Sequence, residues 1–300
     1  MGIIFGIAGA VLWGFADFAA RFSSRRIGAF RTLFFMQVLG FFLISPYIRM
    51  TGGFSGVAHG WRPWLLAVLA GAINAGASLA LYRSFETGIM TIVAPVSSCY
   101  PALTATLAFW SGERIGGVRG AGLAVTFVGV LLAATSFAAP VIADSAETGA
   151  ALASSETPKQ PRFAAGVGWA IVAAVGFGFM FWFLGFYVIP LVGTRVSVWV
   201  MRATAIATLL LFAAPARQSL TLPRGKVWWL LAAVAAFDTT AFVVNNLGLQ
   251  IGPVSIVSVL VSLYGAVTVV LSWIFLRERL ARSQWFGILL IFIGVVLVSI

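Results

Sequence analysis

Ten stretches of about twenty mostly apolar residues run through this chain, each ended by charge or turn residues. They lie at 2–20, 32–49, 64–83, 89–110, 117–137, 164–188, 195–214, 226–247, 253–275 and 283–300. A helix rises ~1.5 Å per residue, so each stretch has the length needed to cross ~30 Å of hydrocarbon. Backbone amides in hydrocarbon must be satisfied within the segment, and a helix does this. The expected fold is therefore an all-α membrane protein with ten transmembrane helices joined by short loops. Composition agrees: mean hydropathy is +1.04 and only 9% of residues are charged, against about 25% in soluble domains. That excludes ordinary soluble enzymes and disordered chains. The excess of 19 basic over 8 acidic residues reads as a topology signal, not as a footprint for nucleic acid. The first ten residues carry no basic stretch, and no small-residue cleavage site follows them. They are read as the start of the first span and not as a leader.

The longest connection, 138–162, is rich in Ala, Ser, Thr and Pro and cannot bury a core, so it reads as a mobile linker. It separates two halves, 1–137 and 163–300, each with five spans. The halves match each other. At an offset of 165, Gly112-Glu113-Arg114 falls on Arg277-Glu278-Arg279, and Gly122, Phe127 and Gly129 fall on Gly287, Phe292 and Gly294. Trp64-Leu65-Leu66-Ala67 falls on Trp229-Leu230-Leu231-Ala232, and at an offset of 164 Gly14-Phe15 falls on Gly178-Phe179. An odd number of spans per unit makes the second unit enter the membrane from the opposite side. The result is two inverted five-helix repeats, a geometry used by secondary transporters. Because the repeat is internal, one chain supplies both halves and a monomer suffices.

The ten-span plan resembles the drug/metabolite transporter superfamily, specifically its EamA-type carriers. The likeness rests on Leu12-Trp13-Gly14 in the first span, Gly-Glu-Arg-Ile at 112–115 and Arg-Glu-Arg-Leu at 277–280, each Glu-Arg being followed by a glycine-spaced apolar helix. It covers the chain apart from the linker. The resemblance implies transport of small metabolites, often amino acids or related compounds, across a cell membrane of the bacterial inner-membrane type. Efflux of such a solute is the favoured reading. It also implies cytoplasmic termini. The positive-inside rule points the other way, since odd-numbered connections hold thirteen basic residues and even-numbered ones six.

Polar groups inside the spans are the functional candidates, because a charge at the bilayer centre costs about 2.5–3.5 kcal/mol on insertion scales. Asp238 lies twelve residues past Lys226, too deep to snorkel. Arg202, seven residues past Arg195, is its nearest cation by depth. Two readings stand: an ion pair that fixes helix packing, or a proton- or substrate-coupled carboxylate beside a guanidinium that holds a substrate carboxylate bidentately. Asp17 is spaced for an i,i+4 pair with Arg21, or for a carboxylate at a cavity mouth that takes a proton or a cationic group. Asp17 and Asp238 are thus the proton-coupling candidates. The substrate-binding candidates are Arg202, Gln37 at offset 165 from it, Trp13, Asn74, Tyr82, Ser97, Ser98, Tyr100, Asn245 and Tyr264. Asn246, Ser258 and Ser262 belong to the same polar tier. For each Ser or Asn alone, helix–helix hydrogen bonding is the better account. As a group they suggest a wet central cavity. Pro95 and Pro101 bracket Ser97-Ser98 in span four and free backbone carbonyls there.

One histidine, His59, and one cysteine, Cys99, leave no metal-ligand spacing, and no motif for a cofactor, nucleotide or covalent lipid is present. The chain is read as no enzyme, with a small-molecule substrate, the lipid bilayer and protons as its candidate partners. The rival class is an intramembrane enzyme acting on a lipid or lipid-linked substrate, which needs clustered acids, His or metal at one interface. The acids here are scattered.

Overall fold

In the computed structural model of the chain, residues 2–114, 116–134, 165–277 and 282–299 are described, and all their regular structure is helical. The first half holds α1 (Gly2–Ile27), α2 (Ala29–Met50), α3 (Arg62–Thr87), α4 (Met90–Ser97), α5 (Pro101–Trp110) and α6 (Gly117–Ala134). The second holds α7 (Val167–Phe183), a π-helical turn at Leu184–Val188, α8 (Ile189–Val192), α9 (Thr194–Ala213), α10 (Val227–Ile251), α11 (Val254–Val261), α12 (Tyr264–Leu276) and α13 (Arg282–Ser299). With α4–α5, α7–α8 and α11–α12 each counted as one rod, eight rods are long and apolar enough to cross a membrane. The protein is therefore a multi-pass membrane protein. The expected spans at 117–137 and 283–300 appear as the 18-residue helices α6 and α13. The expected linker 138–162, with Glu278 and Arg279 of the second Glu-Arg motif, lies outside the described residues.

Several helices run past the apolar stretches that announce them. α1 continues to Ile27 and carries Arg21, Arg25 and Arg26 on its last turns. These were expected in a loop. The helix persists because Arg25 finds partners: its Nη2 donates to the Gly88 carbonyl at 2.8 Å and its Nε to the Phe85 carbonyl at 3.4 Å. Those carbonyls lie at the C-terminal end of α3, where helical partners run out. Glu86 returns the favour by accepting the Ala29 N–H at the start of α2, at 3.1 Å.

Two rods are broken at matching places. α4 ends at Ser97 and α5 restarts at Pro101, as the two prolines predict. The break between α11 and α12 at Ser262–Leu263 has no proline and was not expected as a break. Gly265 shows what the place requires. A Cβ there would fall 2.8 Å from Ser98 Cβ and 3.2 Å from the Ala94 carbonyl oxygen, so the two broken rods cross in backbone contact. Gly265→Val is expected to cost about 1–3 kcal/mol by overpacking, read as a lower melting temperature of the detergent-purified chain. A variant melting like wild type would contradict this crossing. The π-helical turn precedes Pro190, which has no N–H to continue the α ladder.

Packing pairs one half with the other. α1 lies on α10 and α3 on α7; α2 lies on α9 and α6 on α13. The α6–α13 seam is built on the small residues Gly122, Thr126 and Gly294. A Cβ on Gly294 would meet the Gly122 carbonyl oxygen at 2.8 Å, and the Thr126 hydroxyl donates back to that oxygen at 2.9 Å.

Candidate functional site

Four helices each turn an i,i+4 pair of side chains toward one cavity: Trp13 and Asp17 on α1, Ser78 and Tyr82 on α3, Phe177 and Phe181 on α7, Asp238 and Phe242 on α10. Residues four apart lie one above the other on a helix face, so each pair presents a strip of wall. Tyr100 and Tyr264 arrive from the two helix breaks, and Leu81 completes the lining. The cavity is small, about 30 Å³, room for about two waters. The expected wet cavity is thus a narrow one walled mainly by rings. Trp13 meets Phe242 edge-on at 4.9 Å and Phe181 at 5.7 Å. Tyr100 lies 5.0 Å from Phe181 and stacks on Tyr264 at 6.3 Å.

Behind this wall lies a buried polar network. Arg202 is 2% exposed. Its Nη2 donates to Asp238 Oδ2 at 2.5 Å, its Nη1 donates to Gln37 Oε1 at 2.5 Å, and its guanidinium carbon sits 5.4 Å from the Phe242 ring centroid. Asp238 Oδ1 accepts the Trp13 indole N–H at 2.8 Å. Both oxygens of Asp238 are therefore engaged, and the indole is held in the cavity wall by a carboxylate on a helix of the other half.

Asp17 differs. It is 4% exposed, lines the same cavity, and its Oδ2 has no hydrogen-bond partner. The spacing to Arg21 permitted a pair, yet among the described residues no ion pair joins them. Two carboxylates and one guanidinium thus share the region, and the guanidinium is bound to only one of them.

Of the expected substrate-binding residues, Trp13, Tyr82, Tyr100 and Tyr264 line the cavity with Asp17 and Asp238. Arg202 and Gln37 sit behind the lining, bonded to each other. Ser97 accepts the Tyr264 hydroxyl at 3.2 Å. Ser98 lines a separate cleft beside α6. Asn245 donates to Asn246 at 3.2 Å, and Asn246 donates to Ser197 Oγ at 3.0 Å and to the Thr194 carbonyl at 3.2 Å, tying α10 to the start of α9. Asn74 is buried and also stands outside the lining. Ser97 and Asn246 are spent on hydrogen bonds between helices, and neither lines the cavity. Sequence reasoning passed over Ser78, Leu81 and Phe242. The i,i+4 rule applied from Asn74 through Ser78 to Tyr82, and from Asp238 to Phe242, would have found the first and last.

At one end of the bundle Glu113, from the Gly112-Glu113-Arg114 motif, reaches the other half. Its Oε2 accepts the Val254 N–H at 2.9 Å, and its Oε1 accepts the Ser255 N–H at 3.2 Å and the Ser255 hydroxyl. A carboxylate on the unsatisfied amides of a helix start is favoured by both hydrogen bonding and the helix dipole.

Among solved structures, a crystal structure 17% identical to this chain matches over 99% of it and 95% of its own length, with a TM-score of 0.68. It shares the fold. No curated protein gives a significant match. Residues 1–135 and 164–300 both match the EamA-like transporter family. The matched segments take in every residue of the cavity lining, and the chain belongs to the EamA-like transporter family, a family of membrane transporters of small solutes.

Proposed function

We propose that this chain is a secondary carrier of a small organic metabolite, working by alternating access about a pseudo-two-fold axis through the ring-walled cavity. In this reading ten spans form two inverted five-helix repeats, 1–137 and 163–300, joined by the linker 138–162, in a cell membrane of the bacterial inner-membrane type. Efflux of amino acids or related solutes is the favoured job, and a monomer suffices.

One observation carries the reading. The offset of 164 that relates Gly14-Phe15 to Gly178-Phe179 also relates cavity residues to one another: Trp13 to Phe177, Asp17 to Phe181, Ser78 to Phe242 and Tyr100 to Tyr264. A residue on a two-fold axis touches its own mate. Tyr100 stacks on Tyr264 with rings 15° apart, and Gln37 bonds Arg202 165 residues away. The helix contacts follow the same rule, α1 on α10 answering α7 on α3. Symmetric halves meeting at a cavity are what rocking about a fixed site needs. Chemistry on a lipid would instead call for reactive groups at one interface.

Within the site, Trp13, Tyr82, Tyr100 and Tyr264 wall the substrate, while Arg202 and Gln37 position Asp238 and, through it, Trp13. Asp17 and Asp238 are the groups through which a proton gradient acts. The test is flux in proteoliposomes holding the purified full chain, with a panel of labelled amino acids and amines, with and without a pH gradient. Saturable, solute-dependent flux that rises with the gradient is expected. Turnover of a lipid substrate with no solute flux would replace the reading with the enzyme alternative, and flux indifferent to the gradient would remove the proton from it.

A further inference from the structure

We propose that the cavity, widened by the rocking of the carrier reading from the two-water space of this closed arrangement, recognises an ammonium group on a small amine with an apolar body, and that Asp17 is its counter-ion. The inference takes the site from the carrier reading and narrows the substrate class to amines over zwitterionic amino acids.

The inventory of charges selects the group. The cavity lining contains two carboxylates and no Lys, Arg or His. Asp238 is fully used, one oxygen by Arg202 and the other by Trp13. Asp17 keeps one buried oxygen with no donor. A buried acceptor left unmade carries its full desolvation penalty, and a buried carboxylate more so. A ligand N–H satisfies that oxygen, and an ammonium neutralises the charge as well.

The rings point to the same chemistry. The Tyr100 hydroxyl donates to the Ser258 carbonyl at 3.0 Å and the Tyr264 hydroxyl to Ser97 at 3.2 Å. Both polar ends are tied to neighbouring helices, so these residues offer the cavity ring surface instead of hydroxyls. With Trp13, Phe181 and Phe242 they make an electron-rich wall to the cavity that Asp17 also lines, which attracts cations and accommodates an apolar body. A ligand carboxylate would enter the same space without a cation to meet it, because Arg202 stands behind the wall with both terminal nitrogens engaged.

The test is equilibrium binding to the detergent-purified full chain, using phenethylammonium, the neutral 2-phenylethanol, zwitterionic phenylalanine and the anion 3-phenylpropionate. Phenethylammonium is expected to bind at least tenfold more tightly than each of the others. Asp17→Asn should erase the preference, so that the amine and the alcohol bind alike. The apo Asp17→Asn protein should melt no lower than wild type, since the buried carboxyl it replaces leaves an oxygen without a partner in the unliganded fold. Equal binding of amine and alcohol by wild type, or a preference that survives in Asp17→Asn, overturns the inference. So does a drop in the melting temperature of Asp17→Asn, which would show that the unliganded fold needs the carboxyl group. Flux separates this from the broader reading. Amine binding without transport of any solute defeats the carrier reading alone. Transport of the alcohol or the anion without amine preference defeats the ammonium site alone.

Discussion

Arg202→Ala is expected to destabilise the protein more than any other single truncation of the central network, by about 3–5 kcal/mol. The side chain is 2% exposed and joins α9 to α2 through Gln37 and to α10 through Asp238. Its removal leaves Asp238 buried without a cation, beside a second lone carboxylate at Asp17. The loss should appear as a melting temperature several degrees lower in detergent. The damage is an unpaired charge more than a missing contact, so Arg202→Met combined with Asp238→Leu should recover most of the stability. Breaking a buried pair is expensive, whereas replacing it with apolar groups often is not. If the double variant melts as low as Arg202→Ala, shape and hydrogen bonding outweigh charge here. If Arg202→Ala alone melts like wild type, the network does not support the fold.

Glu113→Ala should be the next most damaging change, costing about 2 kcal/mol from the hydrogen bonds of a charged acceptor. Glu113 accepts two backbone N–H groups and one hydroxyl at the start of α11. No other side chain among the described residues bonds these amides. The contact joins the two halves at one end of the bundle, so its loss should also slow solute flux in proteoliposomes. Glu113→Gln keeps the shape and loses the charge, and should fall between the two. Unchanged melting in Glu113→Ala would mean that water caps α11 equally well.

Much of the fold was legible before any tertiary information. A bilayer admits long apolar helices, and the stretches at 32–49, 64–83 and 195–214 lie within α2, α3 and α9 to within a residue. The ends of α1 and α3 were not legible. Arg21, Arg25 and Arg83 look like loop residues by hydropathy, but a helix end tolerates arginine where carbonyls need donors, as Phe85 and Gly88 do for Arg25. The break at Ser262–Leu263 was hidden for a similar reason, because no proline marks it and the constraint comes from Ser98 on another rod. At the site, the polar and aromatic types were visible, and so was the depth match of Arg202 with Asp238. Whether each side chain faced the cavity or a neighbouring helix was not. Asn245 and Ser97 look as eligible as Tyr82 in the sequence, yet Asn245 bonds its neighbour Asn246, Ser97 accepts the Tyr264 hydroxyl, and neither lines the cavity.

By itself the sequence determined an all-helical membrane protein, because hydrocarbon leaves the backbone no alternative. The tertiary structure alone decided which of two buried acids keeps an unpartnered oxygen. Asp238 is claimed by an indole 225 residues away and a guanidinium 36 residues away, while Asp17 keeps an unpartnered oxygen in the same cavity. A carboxylate's availability depends on donors within about 3 Å of it, and distance along the chain does not specify that.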